Sequence, residues 1–202
     1  MGCILKNYGN QSPKQNFRLT VEPLLFQDKQ RNLVLIGGRA SGKTSVGKAL
    51  AQALKRPFVD LDEVLVAQAG RSIAELVEAE GWPEFRRREK ALIQHYGRLP
   101  GQVLAPGGGA VLDPENVAIF RDNGLVIWLK AEAAVLAQRL REDLDSREFR
   151  PSLTGADPAA ETARVLAERE PLYRAAAHLT IETAGLSVPQ VVDLILSMIS
   201  NN

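Results

Sequence analysis

The chain has 202 residues, enough for one domain with a sizeable core, and its 45% hydrophobic and 24% charged residues are ordinary for a soluble globular protein. A net charge of +1 gives no overall electrostatic pull toward nucleic acid or an anionic membrane surface, and the apolar runs are far too short to span a bilayer. One cysteine, Cys3, leaves no intramolecular disulfide, and His95 and His178 add too few ligands for a zinc cluster, so the composition fits a cytoplasmic enzyme.

Residues 1–31 stand apart from the rest. Lys6, Lys14, Arg18, Lys29 and Arg31 face only Glu22 and Asp28, and no hydrophobic periodicity runs through the segment, which predicts a flexible extension. Met1-Gly2-Cys3 is similar to an acylation site, but Lys6 stands where N-myristoylation wants Ser or Thr. A plain leader or an over-long start is the better reading, and the apolar core of a signal peptide is missing.

Leu33–Ile36 is an aliphatic run of the kind a buried parallel strand needs. It leads into Gly37-Gly38-Arg39-Ala40-Ser41-Gly42-Lys43-Thr44, the G-x-x-x-x-G-K-T order of a phosphate-binding loop. Gly37 lets the chain leave the strand tightly, and Gly42 lets backbone N–H groups approach phosphate oxygens. The following helix, marked by Val46, Ala49, Leu50, Ala53 and Leu54, adds unpaired N–H groups and the positive end of its dipole. Lys43 can reach the outer phosphates and the Thr44 hydroxyl can bind Mg²⁺. The candidate nucleotide-binding residues here are Ala40, Ser41, Gly42, Lys43, Thr44 and Ser45. The loop implies a nucleotide without naming a reaction, because many NTP-using enzymes share it.

Further along, Pro57-Phe58-Val59 reads as a short strand ending at Asp60-Leu61-Asp62, and Glu63–Ala69 as a helix stopped by Gly70. Ser72-Ile73-Ala74-Glu75 is a capping box that starts a helix running to about Glu80, and Pro83 suits the first turn of a longer one ending near Gly97. Gln102–Ala105 is a strand running into Pro106-Gly107-Gly108-Gly109. Asp113-Pro114 caps a helix that ends around Asn123-Gly124; Leu125–Leu129 is a strand and Ala131–Arg141 a helix. Residues 142–157 lack periodicity, carry many charges and read as a long loop, of a length that is usually functional or disordered. Asp157-Pro158 caps the next helix, which Pro171 is expected to interrupt. His178–Glu182 is the last strand, and the capping box Ser187-Val188-Pro189-Gln190 opens a final helix striped by Val191, Val192, Ile195 and Ile199. Five apolar strands alternating with helices predict an α/β fold, a parallel sheet with helices on both faces and ligands beyond the carboxyl ends of the strands. The loops at 37–44, 60–62 and 106–109 all fall at that edge.

Asp60 and Asp62 flank Leu61 after a strand, so in an extended chain both carboxylates face the same way, one suited to Mg²⁺ and the other to a substrate hydroxyl; a helix cap explains the same residues. Glu84-Phe85-Arg86-Arg87-Arg88-Glu89 is a solvated face or, since Arg86 shares a side with Glu89, an oriented guanidinium for a carboxylate ligand. Three consecutive glycines at Gly107–Gly109 suggest something close against the backbone. Arg150, in the long loop, can close over phosphates, and Arg174 follows the expected helix break, either as a further ligand arginine or as a surface arginine beside a core tyrosine.

Together these landmarks resemble the shikimate kinase family from about Asn32 to Ser200. The resemblance rests on the phosphate loop, Asp60-Leu61-Asp62, Gly70-Arg71-Ser72-Ile73, Glu84-Phe85-Arg86-Arg87 with Glu89, Gly107–Gly109, Arg150-Pro151 and Pro171-Leu172-Tyr173-Arg174. It implies a three-layer α/β/α sandwich of the nucleoside-monophosphate-kinase type, a five-stranded parallel sheet in the order 2-3-1-4-5, a mobile lid at about 142–157 and a helical substrate-binding region at about 61–97, within a single domain over 32–202. It implies ATP-dependent phosphorylation of the shikimate 3-hydroxyl by a cytoplasmic monomer, with Mg²⁺ and without nucleic acid or membrane partners. By position Asp62 is the candidate base, Lys43 and Arg150 act on the phosphates, and Arg139 lines the adenine pocket. Arg86 and Arg174 would clamp the substrate carboxylate, Glu89 would hold Arg86, and Gly107, Gly108 and Gly109 would offer backbone to the ring. Thr44 and Asp60 would hold the metal.

Ala40 replaces a glycine common in relatives; a positive φ would strain it, so the loop is expected to use a negative one. Thr44 replaces the commoner Ser, Ser152 stands where Leu is usual, and the lid is a few residues longer than in compact relatives. The alternatives are another small-metabolite kinase such as a gluconate kinase, or a shikimate-sensing domain that no longer catalyses. Retention of Lys43, Thr44 and Asp62 speaks against the sensor, and the near-neutral charge speaks against a nucleic-acid-dependent ATPase.

Overall fold

The structure, a computed structural model, describes residues 30–142 and 158–200. Residues 1–29 of the segment read as an extension, the long loop with Arg150 and Ser152, and the Asp157 cap lie outside the described residues.

Five strands form one parallel sheet: β1 (Asn32–Ile36), β2 (Phe58–Asp60), β3 (Val103–Ala105), β4 (Gly124–Lys130) and β5 (Leu179–Glu182), in the order 2-3-1-4-5. The expected sheet order and the helix-covered parallel architecture are therefore present. β1 is buried along its whole length and β4 in all but its last residue, which is why both read as unbroken aliphatic runs. β5, at the edge, alternates buried Leu179 and Ile181 with exposed Thr180 and Glu182.

The helices are α1 (Lys43–Leu54), α2 (Leu61–Ala69), α3 (Ile73–Tyr96), α4 (Pro114–Asn123), α5 (Ala133–Glu142), α6 (Pro158–Ala176) and α7 (Val188–Ser200). One core, around Val34, Ile36, Leu104, Val126, Phe120 and Tyr173, lies on one face of the sheet; Leu33, Leu35, Leu50, Ile127, Ile181 and Ile195 form the other on the opposite face. Because alternate residues of β1 serve the two cores, a register slip of one residue would expose neither side to water but would exchange every partner.

Local chemistry sets the helix ends. Ser72 and Glu75 make the expected reciprocal capping box, worth about 1 kcal/mol. Gly81, at φ 80 and ψ 166, breaks α3 just before Pro83, so its two halves correspond to the two helices the sequence predicts there. Pro171, by contrast, does not interrupt α6, which runs through it to Ala176. Pro171 and Ala167, whose carbonyl loses its helical partner, are both exposed, so water can replace the missing bond. A short 3₁₀ turn, Ala110–Leu112, follows the three glycines and was not expected. His178 is buried at the start of β5, where its Nδ1 accepts from the Val126 N–H. Burial first, then Arg121 and Arg31, pulls its pKa down to about 4, so the ring is a neutral part of the core.

Candidate active site

The phosphate loop joins β1 to α1. Gly37 adopts φ 148, and a Cβ there would lie 2.6 Å from the Leu129 carbonyl oxygen and 2.8 Å from Ser41 Oγ, so only glycine fits. Gly42 precedes α1 at φ 94, with no side-chain cap, which leaves the first N–H groups of the helix to a ligand. Lys43 is buried, and its Nζ donates to the carbonyls of Gly37 at 3.0 Å and Gly38 at 2.9 Å, folded back over the loop. Ala40 departs from expectation: its φ is 58, in the left-handed region, not negative. The tight path from Gly38 to Ser41, closed by a 3.3 Å bond from the Ser41 N–H to the Gly38 carbonyl, takes precedence over the preference of a single residue. Arg139, on α5, reaches the Ala40 carbonyl at 3.4 Å and the Thr183 carbonyl at 3.1 Å, so it links the phosphate loop to the chain leaving β5.

Asp60 ends β2 and caps α2, accepting from the Asp62 and Glu63 N–H groups through Oδ1 at 3.1 and 3.4 Å. Its other oxygen accepts from the Thr44 hydroxyl at 2.7 Å. One carboxylate thus both caps α2 and meets the phosphate-loop threonine. The hydroxyl–carboxylate pair offers the oxygen donors that Mg²⁺ prefers, so these residues fit the ion. Asp62 is not in an extended segment, as the alternation reading required, but in the first turn of α2. There its carboxylate lies beside the glycine run, with Oδ1 3.0 Å from where a Gly107 Cβ would sit.

That run is crowded on every side. A Cβ on Gly107 would lie 2.5 Å from Glu89 Oε1 and 3.0 Å from Asp62 Oδ1; one on Gly109 would overlap the Arg86 guanidinium; one on Gly108 would sit 3.2 Å from the Gly37 carbonyl. The glycines therefore let an acid–arginine cluster pack directly on backbone, and they place it against the phosphate loop. Arg86 pairs with Glu89 one turn along α3, and its guanidinium lies over the rings of Phe85 and Trp82, at 5.0 and 5.6 Å from their centroids. Glu89 is buried; burial pushes its pKa upward, against the pull of Arg86 and then Arg169. Its Oε1 has no hydrogen-bond partner among the described residues. Arg87 and Arg88 belong instead to the solvated face, paired with Glu84 and Glu80. The charge run is therefore divided between a solvated face and an Arg86 guanidinium held beside buried Glu89.

Arg174 is not brought to this cluster. Its side chain is 68% exposed and pairs with Glu170 on the outside of α6. The arginine of α6 that faces the site is Arg169, which hydrogen-bonds the Tyr173 hydroxyl and acts electrostatically on Glu89. Tyr173 in turn donates to the Gly108 carbonyl at 2.5 Å. Sequence reading missed Arg169, although it lies four residues before buried Tyr173 and so on the same helical face.

A family model described as shikimate kinase matches residues 39–200. The chain belongs to the shikimate kinase family. Among its relatives, a shikimate kinase 2 of Yersinia pseudotuberculosis is 47% identical over 171 residues, covering 84% of this chain and 96% of the relative. A shikimate kinase of Syntrophus aciditrophicus is 42% identical over 178 residues, covering 84% and 91%. Among solved structures, the shikimate kinase from Acinetobacter baumannii in complex with shikimate superposes with a TM-score of 0.80 at 32% identity, covering 90% of this chain and 98% of that one. Membership of the family agrees with a sheet edge that carries a phosphate loop on one side and an acid–arginine cluster on the other. No helix among the described residues is long and apolar enough to cross a membrane.

Proposed function

We propose that this chain transfers the γ-phosphate of ATP to the 3-hydroxyl of shikimate, giving shikimate 3-phosphate and ADP, a step toward chorismate and the aromatic amino acids. What supports this reading most is the convergence of Asp62, Arg86 and Glu89 on the Gly107–Gly109 backbone, at the point where Gly108 abuts the Gly37 carbonyl of the phosphate loop. Shikimate is a small polyhydroxylated carboxylate, and this corner offers each of its groups a partner.

Arg86 and Arg169 would hold the carboxylate, with Glu89 fixing the Arg86 fork. Asp62 would accept the 3-hydroxyl proton as the oxygen–phosphorus bond forms and the bond to the ADP oxygen breaks. Lys43, leaving the loop carbonyls it now touches, would balance charge on the phosphates, while the α1 N-terminus supplies N–H donors. Thr44 and Asp60 would hold Mg²⁺, which when bound neutralises negative charge on the phosphates. Arg139 would border the adenine. Phosphoryl transfer asks mainly for such positioning and charge neutralisation. A cytoplasmic monomer remains part of the proposal, in keeping with the near-neutral charge and single cysteine.

The test is coupled ADP release with ATP, Mg²⁺ and a panel of shikimate, quinate and gluconate. Shikimate-dependent turnover is expected. A folded protein that turns over only with gluconate, or with none of the panel, overturns the assignment.

A further inference from the structure

Tyr173 is the member of this corner that no chemical step uses. Its ring is buried, stacked on Trp128 of β4 with centroids 5.8 Å apart and planes 27° from parallel. A phenol has one proton and two lone pairs to offer. Here the proton goes to the Gly108 carbonyl at 2.5 Å, and a lone pair receives Arg169. Burial raises the phenol pKa, so the hydroxyl keeps its proton at neutral pH. Gly108 is also the glycine that abuts the phosphate loop. One oxygen atom therefore ties the α6 arginine to the backbone where the acceptor and nucleotide sides meet.

We propose that the Tyr173 hydroxyl is a positioning residue, which sets Arg169 and the Gly107–Gly109 turn in fixed relation before the acceptor arrives. This role rests on the shikimate reading above. An aromatic residue that merely fills the core needs its ring and the stack on Trp128 but no such hydroxyl, and Tyr173→Phe separates the two roles because the packing is kept.

Steady-state kinetics of Tyr173→Phe should show the KM for shikimate raised about tenfold, the cost of one lost bond to a charged group, with the KM for ATP within about twofold of the parent. In an Arg169→Ala background the same change should alter the KM for shikimate by less than about twofold, since the hydroxyl acts through that arginine. An unchanged KM in the single variant, or an equal fold-change in both backgrounds, overturns the role. Amide exchange gives an independent reading that needs no turnover. Arg169→Ala should speed exchange across residues 107–112, and unaltered exchange there breaks the coupling even if Tyr173→Phe does not fold. Normal shikimate turnover by the parent with negative results in these variants overturns this inference alone, whereas a parent inactive with shikimate overturns the acceptor assignment and this role with it.

Discussion

On the nucleotide side of the sheet edge, the candidate phosphate-loop groups come from one continuous stretch, Gly37–Ser45, and most of them are backbone. On the acceptor side, Asp62, Arg86, Glu89, the three glycines and Arg169 come from α2, α3, the turn after β3 and α6, and most act through side chains. The first kind of site is a conformation, fixed by consecutive backbone angles. The second is a tertiary convergence, which exists only once the sheet has brought distant segments together. Damage should differ accordingly: side-chain changes should cut deeply and selectively on the acceptor side, and shallowly on the nucleotide side at loop positions other than Lys43 and Thr44, wherever the backbone path survives.

The deepest cut is expected at Asp62. Asp62→Asn keeps the shape and removes the base, so kcat should fall by roughly 10²–10⁴-fold, with the KM for ATP little changed. A variant retaining more than about a tenth of the parent kcat would mean that proton removal does not depend on this carboxylate, and the contrast between the two sides would lose its sharpest example.

A paired measurement comes next. Arg169→Ala should raise the KM for shikimate by roughly 10–100-fold, the range for losing charged hydrogen bonds to a carboxylate, whereas Arg174→Ala should leave it within about twofold. The reverse order would restore the residue that the sequence pattern favoured and would remove Arg169 from the acceptor corner. Both substitutions lie on the same helix, so a general loss of helix stability would affect them alike and can be read from their melting curves.

These two arginines also show where sequence legibility ended. The phosphate loop, the five strands and most caps could be read because their causes are local: a run of aliphatics, a glycine, a Ser or Asp ahead of a helix. Arg169 required knowing that α6 stays helical through Pro171. With the helix assumed broken there, the four-residue spacing from Arg169 to Tyr173 carries no meaning, and the resemblance implies Arg174 instead. A residue next to Tyr173 on a continuous helix lies about 100° around the axis, on the solvent side. Of the two readings of Asp60-Leu61-Asp62, the helix cap holds and the extended-chain alternation does not, for a related reason. The period of two belongs to a strand, but the chain turns helical at Leu61, so Asp60 meets the Thr44 hydroxyl while Asp62 lies beside the glycine turn. Gly107–Gly109 drew notice as unusual, yet their neighbours could not be named before the fold placed them.

The smallest expected effect tests the nucleotide side on its own terms. Ala40 holds a left-handed φ of 58. An L-residue with a Cβ is disfavoured there by about 1–2 kcal/mol, while glycine at the same place gives the unfolded chain extra freedom worth about 0.4–1 kcal/mol. The difference favours Ala40→Gly by roughly 0.5–1 kcal/mol, or a rise in Tm of about 1–4 °C for a chain of this size. If the loop is defined by its backbone path, that rise should come with a KM for ATP within about twofold of the parent, because the same path remains available and Arg139 still donates to the same carbonyl. A lower Tm would mean that the Ala40 methyl group makes contacts worth more than its strain. A large change in the KM for ATP would mean that alanine, by narrowing the choices at this position, holds the loop ready for phosphate, and the nucleotide side would then depend on a side chain after all.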